Sequence, residues 1–104
     1  MDTAERIDRI TKMESILNSH AAAAAGLAAA LDEFERSQKS YPLLRDYYVE
    51  GGYMQDVAAD NEGLLPDDLP RGVLSEDAVF DLMGENVELA IRMLELATVV
   101  IRDR

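Results

Sequence analysis

The chain has 104 residues, of which 48% are apolar and 30% are charged, with no cysteine and a formal net charge of −11. This length and composition predict one folded domain, and the missing thiols exclude disulfides, thiolate metal sites and cysteine nucleophiles. The negative charge argues against direct binding to nucleic acid or to anionic membranes, whereas it permits basic protein partners or divalent cations.

The negative charge is concentrated in the middle of the chain. Residues 46–88 contain twelve acids and a single base, Arg71, whereas the remaining residues contain nine acids and nine bases. We call residues 46–88 the acidic segment. Because the charge outside it cancels, we expect any distinctive function to lie on this segment or beside it.

The first predicted element is one long helix over residues 2–38, which contain no proline and one glycine. Asp2 or Thr3 is the expected N-cap. The alanine-rich centre, Ala21–Ala30, favours helix and allows another helix to approach closely. Apolar and small residues follow the alternating spacing of three and four that marks a heptad seam: Ile10, Met13, Leu17, His20, Ala24, Leu27, Leu31 and Phe34.

A short second helix is predicted over residues 41–50, with Pro42 in its first turn and two glycines, Gly51 and Gly52, at its end. Its expected position is over the end of the first helix. Residues 51–74 then form an acidic connector, in which residues 53–59 are compatible with a further turn or two of helix. Glycines and prolines between residues 61 and 72 predict a loop.

The last predicted element is a second long helix over residues 75–102. Ser75 is the expected N-cap, and Glu76 and Asp77 in the first turn complement the helix dipole. Asn86 is a polar residue in an otherwise apolar seam, where such a residue can fix the register of helix pairing. The seam residues are Val79, Leu82, Asn86, Leu89, Met93, Leu96 and Val100.

These patterns predict an all-α fold: two long antiparallel helices plus one or two short helices in a small bundle, forming a single helical domain over residues 1–104. No strand pattern competes with them. The longest weakly polar run, Ala21–Leu31, is too short to span a bilayer, which needs about 20 residues. The first residues also lack the basic and apolar regions of a secretory signal, so we expect a cytoplasmic protein.

A set of short motifs resembles a family of small bacterial and phage proteins known only as domain of unknown function 4298. The run from Arg71 to Asp77 is the most specific of them, and the resemblance covers nearly the whole chain. It implies a single helical domain and no particular activity. The residues that carry it are Arg6-Ile7, Met13-Glu14, Tyr47-Tyr48, Asp56, Leu65-Pro66, Arg71-Gly72-Val73-Leu74-Ser75-Glu76-Asp77 and Asp81-Leu82.

Metal binding is the first chemistry that the acidic segment suggests. Asp56, Asp60 and Glu62 do not fit a calcium-binding EF-hand, because Asn61 occupies the position that requires glycine. A solvated acidic loop is the favoured interpretation, and a weak cation site of another kind is the alternative. His20 has no second histidine or cysteine with which to share a metal.

No motif for catalysis or cofactor binding is found, and Ser75 is better explained as a helix cap than as a nucleophile. We therefore expect no enzymatic activity, no cofactor, no catalytic residue and no resident metal. Phosphate-binding glycine loops are missing as well, because neither lysine nor serine or threonine follows Gly51-Gly52.

The sequence favours a non-catalytic protein–protein interaction module with a strongly acidic surface. Its partner would be a protein, either a basic or nucleic-acid-binding protein or a second copy of this chain. The alternative is an acidic inhibitor that mimics nucleic acid and occupies a basic groove, as phage anti-restriction and anti-CRISPR proteins do. The residues predicted to form the acidic binding surface are Asp56, Asp60, Glu62, Asp67, Asp68, Glu76, Asp77, Asp81 and Glu85.

Overall fold

The computed structural model describes residues 2–104, and within them every regular element is a helix. This confirms the predicted all-α class. The contacts divide the chain into two units, one ending at Ser40 and the other formed by Tyr41–Arg104. The antiparallel pairing of the two long helices and the single domain stay predictions. The elements are α1 (Thr3–Gln38), α2 (Tyr41–Glu50), α3 (Tyr53–Asn61), a 3₁₀ turn (Gly72–Leu74) and α4 (Ala78–Arg102).

The first unit consists of α1 and the two residues that follow it. Asp2 caps its start, because the Asp2 carboxylate accepts a hydrogen bond from the backbone N–H of Ala4 at 2.7 Å. Apart from the half-buried Phe34, all its described side chains are exposed. They include the large seam residues, such as Ile10 at 60% and Leu17 at 63%.

The second unit begins with α2 and α3, which are separated by a turn that depends on glycine. A Cβ on Gly51 would lie 2.6 Å from the Cα of Tyr47, and Gly52 has a φ of 109°. Another left-handed glycine, Gly63 with a φ of 73°, follows α3 and turns the chain into the loop. The predicted connector, residues 51–74, therefore contains two ordered elements: α3 and the 3₁₀ turn.

The start of α4 lies at Ala78, three residues later than the predicted start. Residues 72–74 form the 3₁₀ turn instead, and the Ser75 hydroxyl donates to the Gly72 carbonyl at 2.9 Å. The same hydroxyl oxygen accepts a hydrogen bond from the backbone N–H of Ala78 at 3.3 Å. The N-cap of α4 is Asp77 and not the predicted Ser75, although the Ser75 hydroxyl satisfies one free N–H at the beginning of the helix.

The apolar stripe of α4 is covered only near its start. Val79 is 2% exposed, and Met83 and Asn86 are half-buried, in keeping with the contacts of α4 with α2 and the 3₁₀ turn. Further along the stripe Leu94 and Val100 are 71% and 61% exposed. Among the described residues, Val79 is the only buried apolar side chain. The second unit therefore has a very small core, and other interactions must contribute to its structure.

Candidate functional site

The loop between α3 and the 3₁₀ turn is organised around the side chain of Arg71. Its Nε donates to the Asp60 carboxylate at 2.6 Å, which forms an ion pair between two half-buried side chains. The two terminal nitrogens donate to four backbone carbonyls of the loop, so the guanidinium makes five hydrogen bonds, as many as it has N–H donors. The four acceptors are the carbonyls of Leu65 at 3.3 Å, Pro66 at 2.6 Å, Asp67 at 3.2 Å and Leu69 at 2.9 Å.

We call this arrangement the Arg71 clamp; it comprises Arg71, Asp60 and the loop 65–69. The loop has no strand or helix to satisfy its carbonyls, and an arginine in its centre supplies the missing donors. The chain needs no large core here, because one side chain fixes the path of the backbone. The clamp holds the backbone on which the exposed acids Asp67 and Asp68 stand.

Three tyrosines connect α2 with α3 and the 3₁₀ turn. The ring of Tyr53 meets that of Tyr47 edge-on, at 6.1 Å between centroids, and that of Tyr48 in a tilted arrangement at 4.8 Å. The Tyr53 hydroxyl lies 3.0 Å from the Ser75 carbonyl oxygen, to which it donates, and 3.4 Å from that of Leu74. Such aromatic pairs stabilise a fold by more than the burial of their surface area alone would. The cluster thus joins the short elements to the beginning of α4.

The Tyr47 hydroxyl donates a short hydrogen bond of 2.6 Å to Oδ2 of Asp56. This bond, together with desolvation and the adjacent negative charge, raises the pKa of Tyr47 to about 12. The phenol is therefore neutral and remains a donor at physiological pH. Asp56 is exposed, so one side of its carboxylate stays available to solvent.

The structure separates the nine predicted surface acids into three groups. Asp56 and Asp60 bond to Tyr47 and Arg71 inside the second unit. The second group consists of Glu62, Asp67 and Asp68, which are exposed on the loop. The third group lies at the start of α4 and is exposed as well: Glu76, Asp77, Asp81 and Glu85.

Three acids of the α4 group share one side of the helix. Asp77 precedes α4 directly, and Asp81 and Glu85 follow at intervals of four residues. Since an α-helix has 3.6 residues per turn, this spacing places them in one row with about 6 Å of rise between neighbours. Glu88, three residues further on, extends the row.

The acids considered for the alternative of a weak cation site are not assembled as a cluster. Asp56 and Asp60 point to different partners, and Glu62 is exposed beyond the end of α3. In the part of the chain that the structure describes, no three histidine, aspartate or glutamate residues are arranged to hold a metal ion. His20 lies exposed on α1. None of the described helices is long and apolar enough to cross a membrane.

Sequence reasoning missed the importance of Arg71 and Tyr47. It treated Arg71 as the single base of the acidic segment and as part of a family motif, and it named Tyr47 only as part of another such motif. A signal for Arg71 was present, since it is the one base among the twelve acids of the acidic segment. A single base among many acids is expected to pair with a carboxylate, but no sequence pattern indicates its hydrogen bonds to backbone carbonyls.

Comparison with known proteins gives one match. A family model described as a domain of unknown function (DUF4298) matches residues 10–96. No curated protein and no solved structure matches the chain.

Proposed function

Because the chain belongs to the DUF4298 family, as its motifs suggested, and the description of that family names no activity, we propose a function from the structure itself: a non-catalytic protein–protein interaction module. The observation that supports the proposal is the exposure of the apolar seams on the long helices. Leu17 on α1 and Leu96 and Val100 on α4 are each more than 50% exposed. Soluble proteins rarely leave continuous apolar stripes uncovered, so a protein surface covers these.

We propose that the seams of α1 and α4 pair antiparallel, either within one chain or between two copies. Both helices carry the same alternating spacing of apolar residues, which suits left-handed helix pairing. The small side chains of Ala21–Ala30 on α1 permit close approach, while Leu89, Met93 and Leu96 on α4 supply bulk. Each fully covered leucine contributes roughly 1.5–3 kcal/mol, so a few such contacts decide whether the helices pair.

The acidic surface has a different task in this proposal. Glu62, Asp67 and Asp68 on the loop and the row on α4 keep the module soluble and favour partners with basic surfaces. The setting that we propose is the cytoplasm, and the absence of cysteine fits a reducing compartment.

A pair of substitutions on α4 tests the seam. Leu89 is 36% exposed and lies on the seam, whereas Ile91 is 50% exposed and lies on the opposite side of the helix. If the seam is covered, Leu89→Asp lowers the free energy of unfolding by about 2–4 kcal/mol or abolishes folding, because a charge enters an apolar contact. Ile91→Asp, a chemically identical change two residues away, leaves it within about 0.5 kcal/mol.

Chemical denaturation followed by circular dichroism measures both variants, and equal tolerance of both would contradict the proposal. Analytical ultracentrifugation of the wild-type protein over a range of concentrations then separates the two arrangements. Association that grows with concentration indicates pairing between copies, and a constant monomer indicates pairing within the chain.

A second candidate function, nucleic-acid mimicry, is favoured by the row of acids on α4. Asp77, Asp81, Glu85 and Glu88 stand about 4.5–6 Å apart along the helix axis, compared with about 3.4 Å between charges along one DNA strand. The row therefore has about 0.6 times the linear charge density of a strand. This difference makes the mimic, including an inhibitor of restriction or CRISPR proteins, the second choice.

Neutralising four acids tests the mimic. A variant with Asp77→Asn, Asp81→Asn, Glu85→Gln and Glu88→Gln keeps the helices but loses the four negative charges of the row. If the chain mimics nucleic acid, a nucleic-acid-binding partner bound by the wild type should no longer bind this variant, and DNA or RNA should compete with the wild type. Binding that survives both the substitutions and high salt would exclude the mimic.

A further inference from the structure

A cavity of about 330 Å³ lies between the tyrosine cluster and the Arg71 clamp. Its walls come from α2, α3, the loop and the 3₁₀ turn, all of them within the second unit. Two polar residues, Tyr47 and Asp56, line it together with apolar ones, among them Leu65, Leu69, Val73 and Leu74.

The polar part of the cavity offers a negative charge with spare capacity. The Asp56 carboxylate accepts the hydrogen bond from Tyr47 at Oδ2 and is exposed. Because a carboxylate can accept about four hydrogen bonds, it retains acceptor capacity for a ligand. Tyr47 also fixes the orientation of the carboxylate, which lowers the cost of ordering it when a ligand binds.

The rest of the cavity is apolar and only partly covered. Leu69 is 44% exposed and Val73 37% exposed, so a ligand would bury surface that water now contacts. A site with one carboxylate and an aliphatic wall suits a ligand that has a cationic head on an aliphatic stem. Arginine and lysine side chains have this form, and they bury their stems while the head finds a charge.

We propose that this cavity binds the side chain of an arginine on a basic segment of a partner protein. Arginine fits better than lysine, because its planar guanidinium can form two parallel hydrogen bonds with the Asp56 carboxylate and can stack on the ring of Tyr47. The surrounding acids, with Asp67 and Asp68 on the same loop, attract a basic segment and repel acidic ones. The inference deepens the proposed function, since it names the chemistry of the partner.

The Arg71 clamp is the positioning element for this site. By bonding to the carbonyls of Leu65 and Leu69, Arg71 holds the backbone of two residues that form the apolar wall. The clamp already satisfies its own guanidinium with Asp60, so that Arg71 does not compete for Asp56. Arg71 therefore leaves the Asp56 carboxylate to the arginine of the proposed partner.

The test uses N-acetyl-arginine amide as the probe, titrated into the isotopically labelled full chain and followed by amide chemical shifts. We expect the largest shifts at Asp56, Leu69 and Val73, and weaker binding of N-acetyl-lysine amide. The uncharged N-acetyl-norleucine amide, which has the stem but no charge, should bind at least about tenfold more weakly than the arginine probe.

Two variants of equal charge show whether the site is specific. Asp56→Asn can still accept the Tyr47 hydrogen bond but loses its charge, so the dissociation constant for the arginine probe should rise at least about fivefold. Glu50→Gln removes the same charge from the exposed end of α2, outside the cavity and the predicted acidic surface, and should change the dissociation constant less than about twofold. An unchanged amide spectrum away from the substitution checks that each variant is folded.

Equal weakening in both variants, or shifts spread over all acidic surfaces, would overturn the inference in favour of general electrostatic attraction. Tyr47→Phe provides an independent check, because it removes the hydrogen bond that orients the Asp56 carboxylate but keeps the charge. The dissociation constant for the arginine probe should therefore rise, but by less than in Asp56→Asn, and a larger rise than in Asp56→Asn would contradict the inference. The test does not depend on the helix seams. Failure of the probe to bind would leave the seam result of Leu89→Asp intact, and failure of the seam test would leave the binding of the probe intact.

Discussion

The helix α1 and the segment 41–77 acquire their structure in opposite ways. α1 needs only local signals, namely an aspartate cap, high alanine content and one uninterrupted run without proline. The segment 41–77 contains short elements, turns and loops, and its order depends on bonds between residues far apart in sequence. The Arg71 clamp spans up to 11 residues and the Tyr53 contact with Ser75 spans 22.

This difference shows how a chain can have a defined structure although only one side chain is buried among residues 2–104. In the segment 41–77, polar side chains satisfy backbone carbonyls that would otherwise face water, and the path of the chain follows from these bonds. In α1 the backbone satisfies itself, and the side chains of its seam are exposed. In the functions proposed above, the segment 41–77 is the ordered platform for a site and α1 is the docking element.

The largest expected effect concerns the clamp. Replacing Arg71 with glutamine removes the ion pair to Asp60 and leaves four loop carbonyls without their donor, so the free energy of unfolding should fall by about 2–3 kcal/mol. The estimate is below that for a fully buried pair, because the side chains of Arg71 and Asp60 are 28% and 30% exposed. Urea denaturation followed by circular dichroism measures the loss.

Arg45→Gln is the matched control for this substitution. The side chain of Arg45 is 46% exposed and pairs only with its sequence neighbour, Asp46. We expect its loss to change stability by less than about 0.5 kcal/mol. If Arg71→Gln lowers the free energy of unfolding no more than Arg45→Gln does, the clamp does not hold the loop. Arg71→Lys should restore only part of the stability, because an ammonium cannot reproduce the fork of a guanidinium.

A pair of glycine substitutions sharpens the comparison between the two regions. A Cβ added at Gly26 or at Gly63 would meet no other atom within 4 Å, so the backbone alone decides the effect of alanine. Gly26→Ala lies inside α1 and should stabilise the protein by about 0.5–1 kcal/mol. Gly63→Ala requires a left-handed conformation, with a φ of 73°, and should destabilise it by about 1–2 kcal/mol.

Thermal unfolding of the wild type and the two glycine variants measures both the gain of stability expected for Gly26→Ala and the loss expected for Gly63→Ala. Equal effects would mean that the turn at Gly63 relaxes to another conformation without cost. A loss of stability in Gly26→Ala would instead indicate that another surface packs closely against α1 at this position, since a Cβ there would then meet a partner.

The smallest expected effect is a dependence on high pH. The pKa of Tyr47 is raised to about 12 in the folded chain, against an ordinary value of 10 in the unfolded chain. The folded state therefore retains a proton that the unfolded state releases, and its contribution to stability is complete below pH 10 and is lost between about pH 10 and 12. Tyr47→Phe should remove this part of the pH dependence.

Ultraviolet absorbance of the tyrosinate, recorded while the pH is raised, measures the titration directly. We expect a component of the titration near pH 12 in the wild type, from the raised pKa of Tyr47, and its loss in Tyr47→Phe. A wild-type titration that lacks this late component while the protein is folded would contradict the hydrogen bond to Asp56.

The parts of the fold that follow from local signals were accessible from the sequence. Residues 2–38 and 41–50 were predicted as helices, and the structure has them at Thr3–Gln38 and Tyr41–Glu50. The start of α4 shifted because Ser75 serves two elements at once, the 3₁₀ turn and the helix. Neither helix propensity nor a cap motif shows whether the 3₁₀ turn or the helix α4 is formed at this serine.

The candidate site was harder to predict from the sequence, because its charged residues have many possible partners. Arg71 could pair with any of twelve acids in the acidic segment, and the sequence does not say that Asp60 is the one. For the same reason the nine acids were treated as one surface, although Asp56 and Asp60 have internal partners. The remaining seven have no side-chain ion pair among residues 2–104, and their role as a binding surface stays a prediction.

Hydrogen–deuterium exchange of α1 in the purified protein tests the central proposal most directly. If the seam of α1 is covered, amides from Leu17 to Leu31 should exchange at least about a hundredfold more slowly than those of a peptide with the sequence of α1 alone. Exchange of these amides at the rate of the isolated peptide, while the segment 41–77 stays protected, would show that the helix is uncovered and would contradict the pairing of the seams.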